Sequence, residues 1–389
     1  MKILETEIVI IGAGASGMMA AYFCSEWGKE VIVLDHNKQI GRKILISGGG
    51  KCNFTNKYGE SKHYYSNNPH FVKSALSRFS GLEFLEMVQD FGTEVQERQF
   101  GQMFCAKSAK DINSMLLSQV QKENVKILLG QKDLEVEKSP SGFIVKNEEY
   151  KIKTTKLIIA TGGLVLPSIG ASDFGHQVAK KFGHKIIPST PALVPFMIEG
   201  FKELSGNAFV AGITIKGHYH EENVLFTHKG LSGPCILKTS LFWDHGDSFE
   251  VNWLPAITLD EILAKMKGTF WIAKSLKKYL PNNFVDLVFS RIGLDLKLTL
   301  GSLTKEQKAS LEKELHHMTL TPSNTEGFRK AETTRGGIDT SKVSSKTLES
   351  KLQPGLHFIG EVLDVAGQLG GHNFQWCWAS AHAVGEALR

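Results

Sequence analysis

The chain has little cysteine and no Cys-x-x-Cys pair. Its five cysteines, Cys24, Cys52, Cys105, Cys235 and Cys377, are scattered through 389 residues. That scatter excludes a zinc ribbon, a thioredoxin-like dithiol and a disulfide framework, and it fits a reducing compartment. No apolar run reaches the roughly 18 to 20 residues of a membrane-spanning helix. Residues 8–24 are mostly apolar, but Glu5 and Glu7 precede them where a signal peptide carries basic residues. Charge of one sign is not in excess. Lys and Arg number 45 against 40 Asp and Glu, a net of +5 that permits an acidic partner without demanding one. His316 and His317 have no companions at metal-ligand spacing and read as a helix surface, so no metal is expected. The expectation is a soluble cytoplasmic protein, with its oligomeric state left open.

What is present begins at once. Residues 8–11 read as a buried parallel strand that runs into Gly12, Ala13, Gly14, Ala15, Ser16 and Gly17. A helical stretch follows, then a second strand over 31–34 ending on Asp35, with His36 beyond it. This is the βαβ pattern of a dinucleotide site. Gly12 lets the chain turn sharply, Gly14 clears space for a pyrophosphate, and Gly17 lets the helix pack on the strand. Helix N-terminal amides favour phosphate, and Asp35 stands where a carboxylate can accept from a ribose.

A second glycine cluster follows, with Arg42 and Lys43 before Ser47, Gly48, Gly49 and Gly50, and Lys51, Cys52 and Asn53 after. Exposed amides between cations suit an anionic group, so the segment reads as a cofactor-clasping loop. Helical spacing predicts helices over 71–91 and 110–123. Strands are expected over 126–129, 134–136 and 143–145, with a turn over 139–142. Residues 156–159 read as another parallel strand, ending on Ala160, Thr161, Gly162 and Gly163 at the ligand crevice. Pro188, Pro191 and Pro195 then mark a change of style. Short strands occupy 192–255, and 256–318 is helical and lysine-rich, with helices expected over 259–266, 271–280 and 305–317. A strand at 356–359, a glycine-rich loop and a helix over 374–388 return to the first style. The chain therefore reads as an α/β protein. A Rossmann-type domain over 1–191 and 331–389 is interrupted by a β-rich domain (192–255 and 319–330) that carries a helical subdomain (256–318).

The fingerprint, the strand end at Ala160 to Gly163 and the Gly360-Glu361 turn resemble two-dinucleotide-binding-domain flavoproteins of the glutathione reductase superfamily. More narrowly, GRKILISGGGKCNFTN, FTHKGLSGPCILKTS, TTRGGID and the segment over 347–385 are similar to bacterial aminoacetone-oxidase and BaiN-like (YhiN-like) flavoproteins. The resemblance covers essentially the whole chain. It implies non-covalently bound FAD, NAD(P)H as a transient reductant, and a β-barrel-like inserted domain. Lys51, His372 and the segment Gly101-Gln102-Met103-Phe104-Cys105 depart from the family pattern. They put substrate identity in question, not FAD binding.

The resemblance also supplies expected roles. Gly12, Gly14, Ala15, Ser16 and Gly17 take the pyrophosphate and Asp35 the adenosine ribose, with His36 and Arg42 beside it. Lys43 and the Ser47-to-Gly50 loop cover the pyrophosphate and flavin side, with Asn53, Thr161, Gly162 and Gly163 near the cofactor. Val136 offers backbone groups to the adenine edge. Glu361, at the Gly360 turn, takes the ribitol, with Asp364 as the alternative. Gly370, Gly371, His372, Asn373 and Phe374 open a helix towards the flavin pyrimidine. His372 is the catalytic candidate, with packing or capping as the competing role. Cys52, with no partner cysteine in sequence, reads as a small buried residue. Residues 228–234 read as a domain-junction loop. Three functions are expected to compete, with oxidation of a small amine such as aminoacetone as a further alternative. One is an FAD oxidoreductase whose flavin is reduced by NAD(P)H and reoxidised by a second substrate. The second reduces uridine in ribosomal RNA, with the lysines of the helical insert as the footprint. The third is a flavin-binding protein without turnover.

Overall fold

The computed structural model describes residues 1–121 and 124–389. The helix expected over 110–123 is observed as Lys110–Gln121, and its last two positions lie outside the described residues. The chain divides into two compact units, Met1–Pro191 with Glu332–Arg389, and Ala192–Ala331.

Seven strands build the main sheet of the first unit. They are β1 (Lys2–Ile11), β2 (Val31–Asp35), β3 (Val125–Leu129), β4 (Glu135–Ser139), β5 (Gly142–Lys146), β6 (Tyr150–Ile159) and β7 (Leu356–Phe358). β3, β2, β1 and β6 are consecutive parallel neighbours. β6 serves two partners along its length. Residues 151–154 pair antiparallel with β5, and 157–159 pair parallel with β7. Ile11, Ile159 and Phe358 share one register, so the turns after β1, β6 and β7 leave the sheet at one edge. Val9, Ile10, Leu157, Ile158 and Phe358 are fully buried. Strands covered on both faces read as unbroken apolar runs, which is why the sequence revealed them. The α/β class expected from the sequence is the class observed.

Two helices matter most for the site, α1 (Ala15–Glu26) and α2 (His372–Ala387). α1 buries every residue but Tyr22 and Glu26, as a helix apolar on all sides must. α2 is buried almost as fully, and its tryptophans and Gln375 find partners for their polar groups. Trp376 donates its indole N–H to the Gly360 carbonyl at 3.1 Å, and Trp378 donates to the Phe54 carbonyl at 2.7 Å. Gln375 accepts from the Thr55 hydroxyl at 2.6 Å and donates to the Phe79 carbonyl at 2.8 Å. Left unpaired, such groups would each cost a few kcal/mol, roughly 1–3 by mutational measures. The C-terminal helix is thereby fixed to residues 54–56, which follow the second glycine cluster.

The second unit carries an antiparallel seven-stranded sheet in the order Met318–Leu320, Phe249–Asn252, Ala208–Ile215, His218–Thr227, Gly230–Ser232, Phe196–Met197 and Asn324–Thr325. Phe226, Trp253 and Phe284 are buried in its core and pack ring against ring. Two expectations change here. Residues 230–234 are not a linking loop: Gly230–Ser232 is a sheet strand, and Gly233 at φ +90° admits a helix, Pro234–Ser240, with proline at its first turn. His316 is not on the surface. It is buried, its Nε2 accepts from the Leu259 amide at 3.1 Å, and its Nδ1 lies 3.0 Å from Asn252 Oδ1. His317 alone is exposed, 3.3 Å from Glu250. A helix absent from the sequence reading, Asn282–Arg291, buries Phe284, Val285, Val288 and Phe289.

Candidate dinucleotide site

Three turns meet at the carboxyl edge of β1, β6 and β7. The fingerprint glycines differ in what surrounds them. A Cβ on Gly12, whose φ is +116°, would lie 2.3 Å from the Ala160 carbonyl oxygen, and one on Gly17 would lie 1.8 Å from the Gly12 carbonyl oxygen. A Cβ on Gly14 would meet nothing within 4 Å. Protein crowds the first two, and the middle glycine borders open space. α1 starts here with no side-chain cap and no acid in its first turn. The amides of Ala15, Ser16 and Gly17 have no carbonyl four residues back within the helix, and the helix dipole favours an anion beside them. Ser16 itself is buried against Gly360, where a Cβ would lie 2.6 Å from its hydroxyl.

Asp35 ends β2 and is oriented by that same turn. Its Oδ2 accepts from the Ala13 amide and its Oδ1 from the Asn37 amide, each at 2.7 Å. Each carboxylate oxygen can accept more than one bond, so both retain acceptor capacity. His36 Nδ1 lies 3.8 Å from Asp35, and Arg42 donates to the Asn37 side chain at 2.7 Å.

Glu361 is held from three directions and is 8% exposed. Its Oε1 accepts from the Thr334 amide at 2.8 Å and the Thr333 hydroxyl at 3.0 Å, while Lys43 Nζ donates to Oε2 at 2.6 Å. The pair joins chain positions 318 residues apart. Gly163 makes room for this cluster, since a Cβ there would lie 2.4 Å from the Thr334 hydroxyl and 3.0 Å from the Glu361 carboxyl carbon. Gly162, with φ +76°, borders open space as Gly14 does. Thr161 turns its hydroxyl towards Gly175, 2.2 Å from where a Cβ would stand. Thr333 and Thr334 had no role assigned from the sequence, although TTRGGID stood out there. Two adjacent hydroxyls in a strand that proves fully buried were the available signal.

Several other expected site residues are engaged by the protein itself. Asp364 is buried and accepts from the Asn67 amide at 3.0 Å and the Asn67 side chain at 2.9 Å. Burial pushes its carboxyl above the usual range, and the Asn67 bonds only partly offset that. Its Oδ2 anchors the loop at Asn67, and its Oδ1 has no hydrogen-bond partner among the described residues. Asn53, with its amide oriented as its neighbours require, accepts from the Gly371 amide at 3.0 Å. Gly371 is further pinned because a Cβ there would lie 2.3 Å from the Thr55 carbonyl oxygen, and the Gly370 carbonyl accepts from Asn56 at 2.8 Å. Asn373 exchanges two bonds with the Gly367 backbone, at 2.9 and 2.8 Å. Phe374 stacks on Trp378 with centroids 5.8 Å apart. Val136 lies on β4, four strands from β2 along the sheet, and its carbonyl accepts from Lys181 at 2.7 Å.

His372 opens α2 in a ring stack. It is 5% exposed, stacked on His63 at 4.6 Å and edge-on to Tyr64 at 5.9 Å. The Tyr64 hydroxyl donates to its carbonyl at 3.0 Å. This setting fits packing at the helix start.

The glycine cluster is a built turn. Gly48, Gly49 and Gly50 are consecutively left-handed, at φ +55°, +67° and +82°, a run that L side chains resist. The Ser47 hydroxyl donates to the Ile44 carbonyl at 2.7 Å and the Ala109 amide donates to the Gly50 carbonyl at 2.8 Å. Cys52 does have a cysteine neighbour. Asn53–Asn56 pairs antiparallel with Gln102–Cys105, with Asn53 opposite Phe104, which brings Cys105 alongside. Burial pushes the Cys105 thiol up to about 12 and raises Cys52 as well, so neither is a ready thiolate. Among the described residues no group of three His, Cys, Asp or Glu side chains is placed to hold a metal, and no helix is long and apolar enough to cross a membrane.

The fold and this crevice define a Rossmann-type enzyme. The chain belongs to the HI0933-like protein Rossmann domain family, which it matches over residues 6–387. It is 41% identical over 391 residues to the ribosomal RNA dihydrouridine synthase of Escherichia coli (strain K12), covering 98% of each chain. It is 27% identical over 401 residues to the 3-dehydro-bile acid delta(4,6)-reductase of Clostridium scindens, again covering 98% of each. Among solved structures it is similar in fold to a quinol-fumarate reductase with menaquinol molecules. The TM-score is 0.51 at 14% identity, over 100% of this chain and 71% of that one.

Proposed function

We propose that the protein is an FAD-dependent oxidoreductase that reduces uridine to dihydrouridine in ribosomal RNA, with NAD(P)H as the source of electrons. The observation that carries this reading is the 41% identity to a ribosomal RNA dihydrouridine synthase along almost the whole of both chains. The crevice supports the cofactor. Open space at Gly14 and Gly162, the uncapped start of α1, and carboxylates at Asp35 and Glu361 suit a dinucleotide with a hydroxylated chain at each end. FAD, when bound, supplies two-electron transfer between the nicotinamide and the pyrimidine. The chain's own groups position it. The amides of Ala15, Ser16 and Gly17 would hold the pyrophosphate, Asp35 would accept from the adenosine ribose, and Glu361, fixed by Thr333 and Thr334, would accept from the ribitol. Lys43 pairs with Glu361 and offsets its charge. Saturating the uridine C5–C6 bond adds a hydride and a proton, which NAD(P)H and solvent together provide.

The similarity to a bile-acid reductase favours one second reading, in which the same chemistry acts on a small conjugated molecule. One experiment separates the two. The purified protein is reduced anaerobically with NADH or NADPH while the flavin colour is followed. It is then offered ribosomal RNA from cells lacking the gene, or a conjugated enone. Return of the colour with RNA, and dihydrouridine in that RNA by mass spectrometry, is the expected result. A protein that is colourless and cannot be reconstituted with FAD sinks the proposal, and reoxidation by the enone alone moves it to the second reading.

A further inference from the structure

The second unit exposes three large aromatic rings in one short segment. Phe270 is 50%, Trp271 46% and Tyr279 43% exposed. Single exposed apolar residues are common on any protein, but three exposed rings within ten residues are not. The same segment is one-signed. From 264 to 280 there are five lysines, Lys265, Lys267, Lys274, Lys277 and Lys278, and no Asp or Glu. Lys277 pairs with Asp286 and belongs to the fold. Lys267, Lys274 and Lys278 are exposed and form no ion pair among the described residues. Trp271, Lys274 and Lys278 stand at i, i+3 and i+7, so they share one face of the turn, while Ile272, Ala273 and Leu276 are buried on the other.

The backbone beneath Phe270 and Trp271 is tied down. The Ile272 amide donates to the Leu298 carbonyl at 3.0 Å, the Leu300 amide to Phe270 at 3.2 Å, and the Gly301 amide to Gly268 at 2.8 Å. Trp271 bridges Thr299 in the same short ladder. A Cβ on Gly301 would lie 3.2 Å from the Gly268 carbonyl oxygen, so glycine lets the two backbones meet. Backbone pairing on one side and a buried apolar side on the other fix the segment that carries Phe270 and Trp271.

We infer that the face of Trp271, Lys274 and Lys278, with Phe270, Tyr279 and Lys267 exposed in the same segment, docks a single-stranded segment of RNA, with bases stacked on exposed rings and phosphates on the lysines. Charge complementarity and flat ring platforms are the two features such a partner needs. The inference takes its partner class from the proposed function, and its test is separable from that proposal.

Binding of a fluorescein-labelled oligouridylate is followed by anisotropy across a salt series. Trp271→Ala is expected to weaken it about fivefold or more, and Trp271→Phe to restore most of the loss. The pair Lys274→Gln with Lys278→Gln is expected to weaken it and to flatten the log–log salt slope by about 1.4, which is 0.7 per lost phosphate contact on a single strand. Unchanged urea midpoints in these variants exclude unfolding as the cause. Wild-type affinity in both variants overturns the inference. So does binding to phosphatidylglycerol vesicles that the variants lose while oligouridylate is ignored by the wild type. A protein that binds oligouridylate through this face but leaves ribosomal RNA unreduced keeps the surface and removes the synthase reading. Ribosomal RNA reduced equally by wild type and variants keeps the synthase and removes the surface.

Discussion

A methyl group added at Gly17 would lie 1.8 Å from the Gly12 carbonyl oxygen, and one added at Gly14 would touch nothing within 4 Å. The two glycines of one motif therefore answer to different pressures, packing at the first and ligand access at the second. Gly17→Ala is expected to destabilise the protein by about 3 kcal/mol, because the Gly12 carbonyl it would strike cannot yield. Gly14→Ala is expected to keep its stability within about 1 kcal/mol. It should nevertheless lose affinity for the proposed FAD by about tenfold or more, equivalent to at least about 1.4 kcal/mol of binding. Urea midpoints on cofactor-free protein and flavin absorbance after reconstitution read the two effects separately. Equal losses of stability in the two variants would contradict this division. At this scale the motif was fully legible, since each glycine's reason is local to a strand, a turn and a helix. Glu361 was legible only as one of two carboxylates. What distinguishes it from Asp364 is which one faces Lys43 and which one faces Asn67.

Helix α2 shows how an element departs from its own propensities. Gly385 lies in its last turns, where alanine would be the better helix former by about 1 kcal/mol. A Cβ there, however, would stand 2.4 Å from the Phe23 Cβ on α1. Gly385→Ala is expected to destabilise by about 1–3 kcal/mol despite its helical preference, read as a lower urea midpoint at unchanged slope. An increase in stability would show that α1 and α2 have room to separate. The strands β1, β2 and β6 and the helix α2 were visible in the sequence because burial on all sides leaves unbroken apolar runs. Pro234–Ser240 and Asn282–Arg291 were not. The first hides behind a Gly-Pro pair that resembles a loop, and the second lies in a stretch whose apolar pattern was not separated from the lysine-rich helices around it.

Over the whole molecule, buried histidines give the protein a common response to acid. His176, His184, His316 and His382 are all held below the usual histidine value of 6.5, mainly by burial, and His220 and His357 are lowered to about 4. Below 6.5 the unfolded chain binds protons that the folded chain refuses. Their contribution is therefore complete above 6.5 and is lost as pH falls towards the folded values. At about 1.4 kcal/mol per unit, His220 and His357 alone account for a fall of several kcal/mol between neutral pH and about pH 4. Urea midpoints measured down that range test the sign, and a midpoint that held steady or rose would contradict it.

The sequence by itself determined the α/β class, the dinucleotide fingerprint and the return of the first style at the C-terminus. These depend on periodicity and glycine spacing within a few tens of residues. Tertiary structure alone decided the rest. It paired Lys43 with Glu361 and Thr55 with Gln375 across more than 300 positions, set Cys105 beside Cys52, buried His316, and turned Asn53 and Asn373 inward to hold backbone. The physical reason is common to all of them. A side chain's partner is set by where the sheet and helices bring distant segments together, and no local pattern records that meeting.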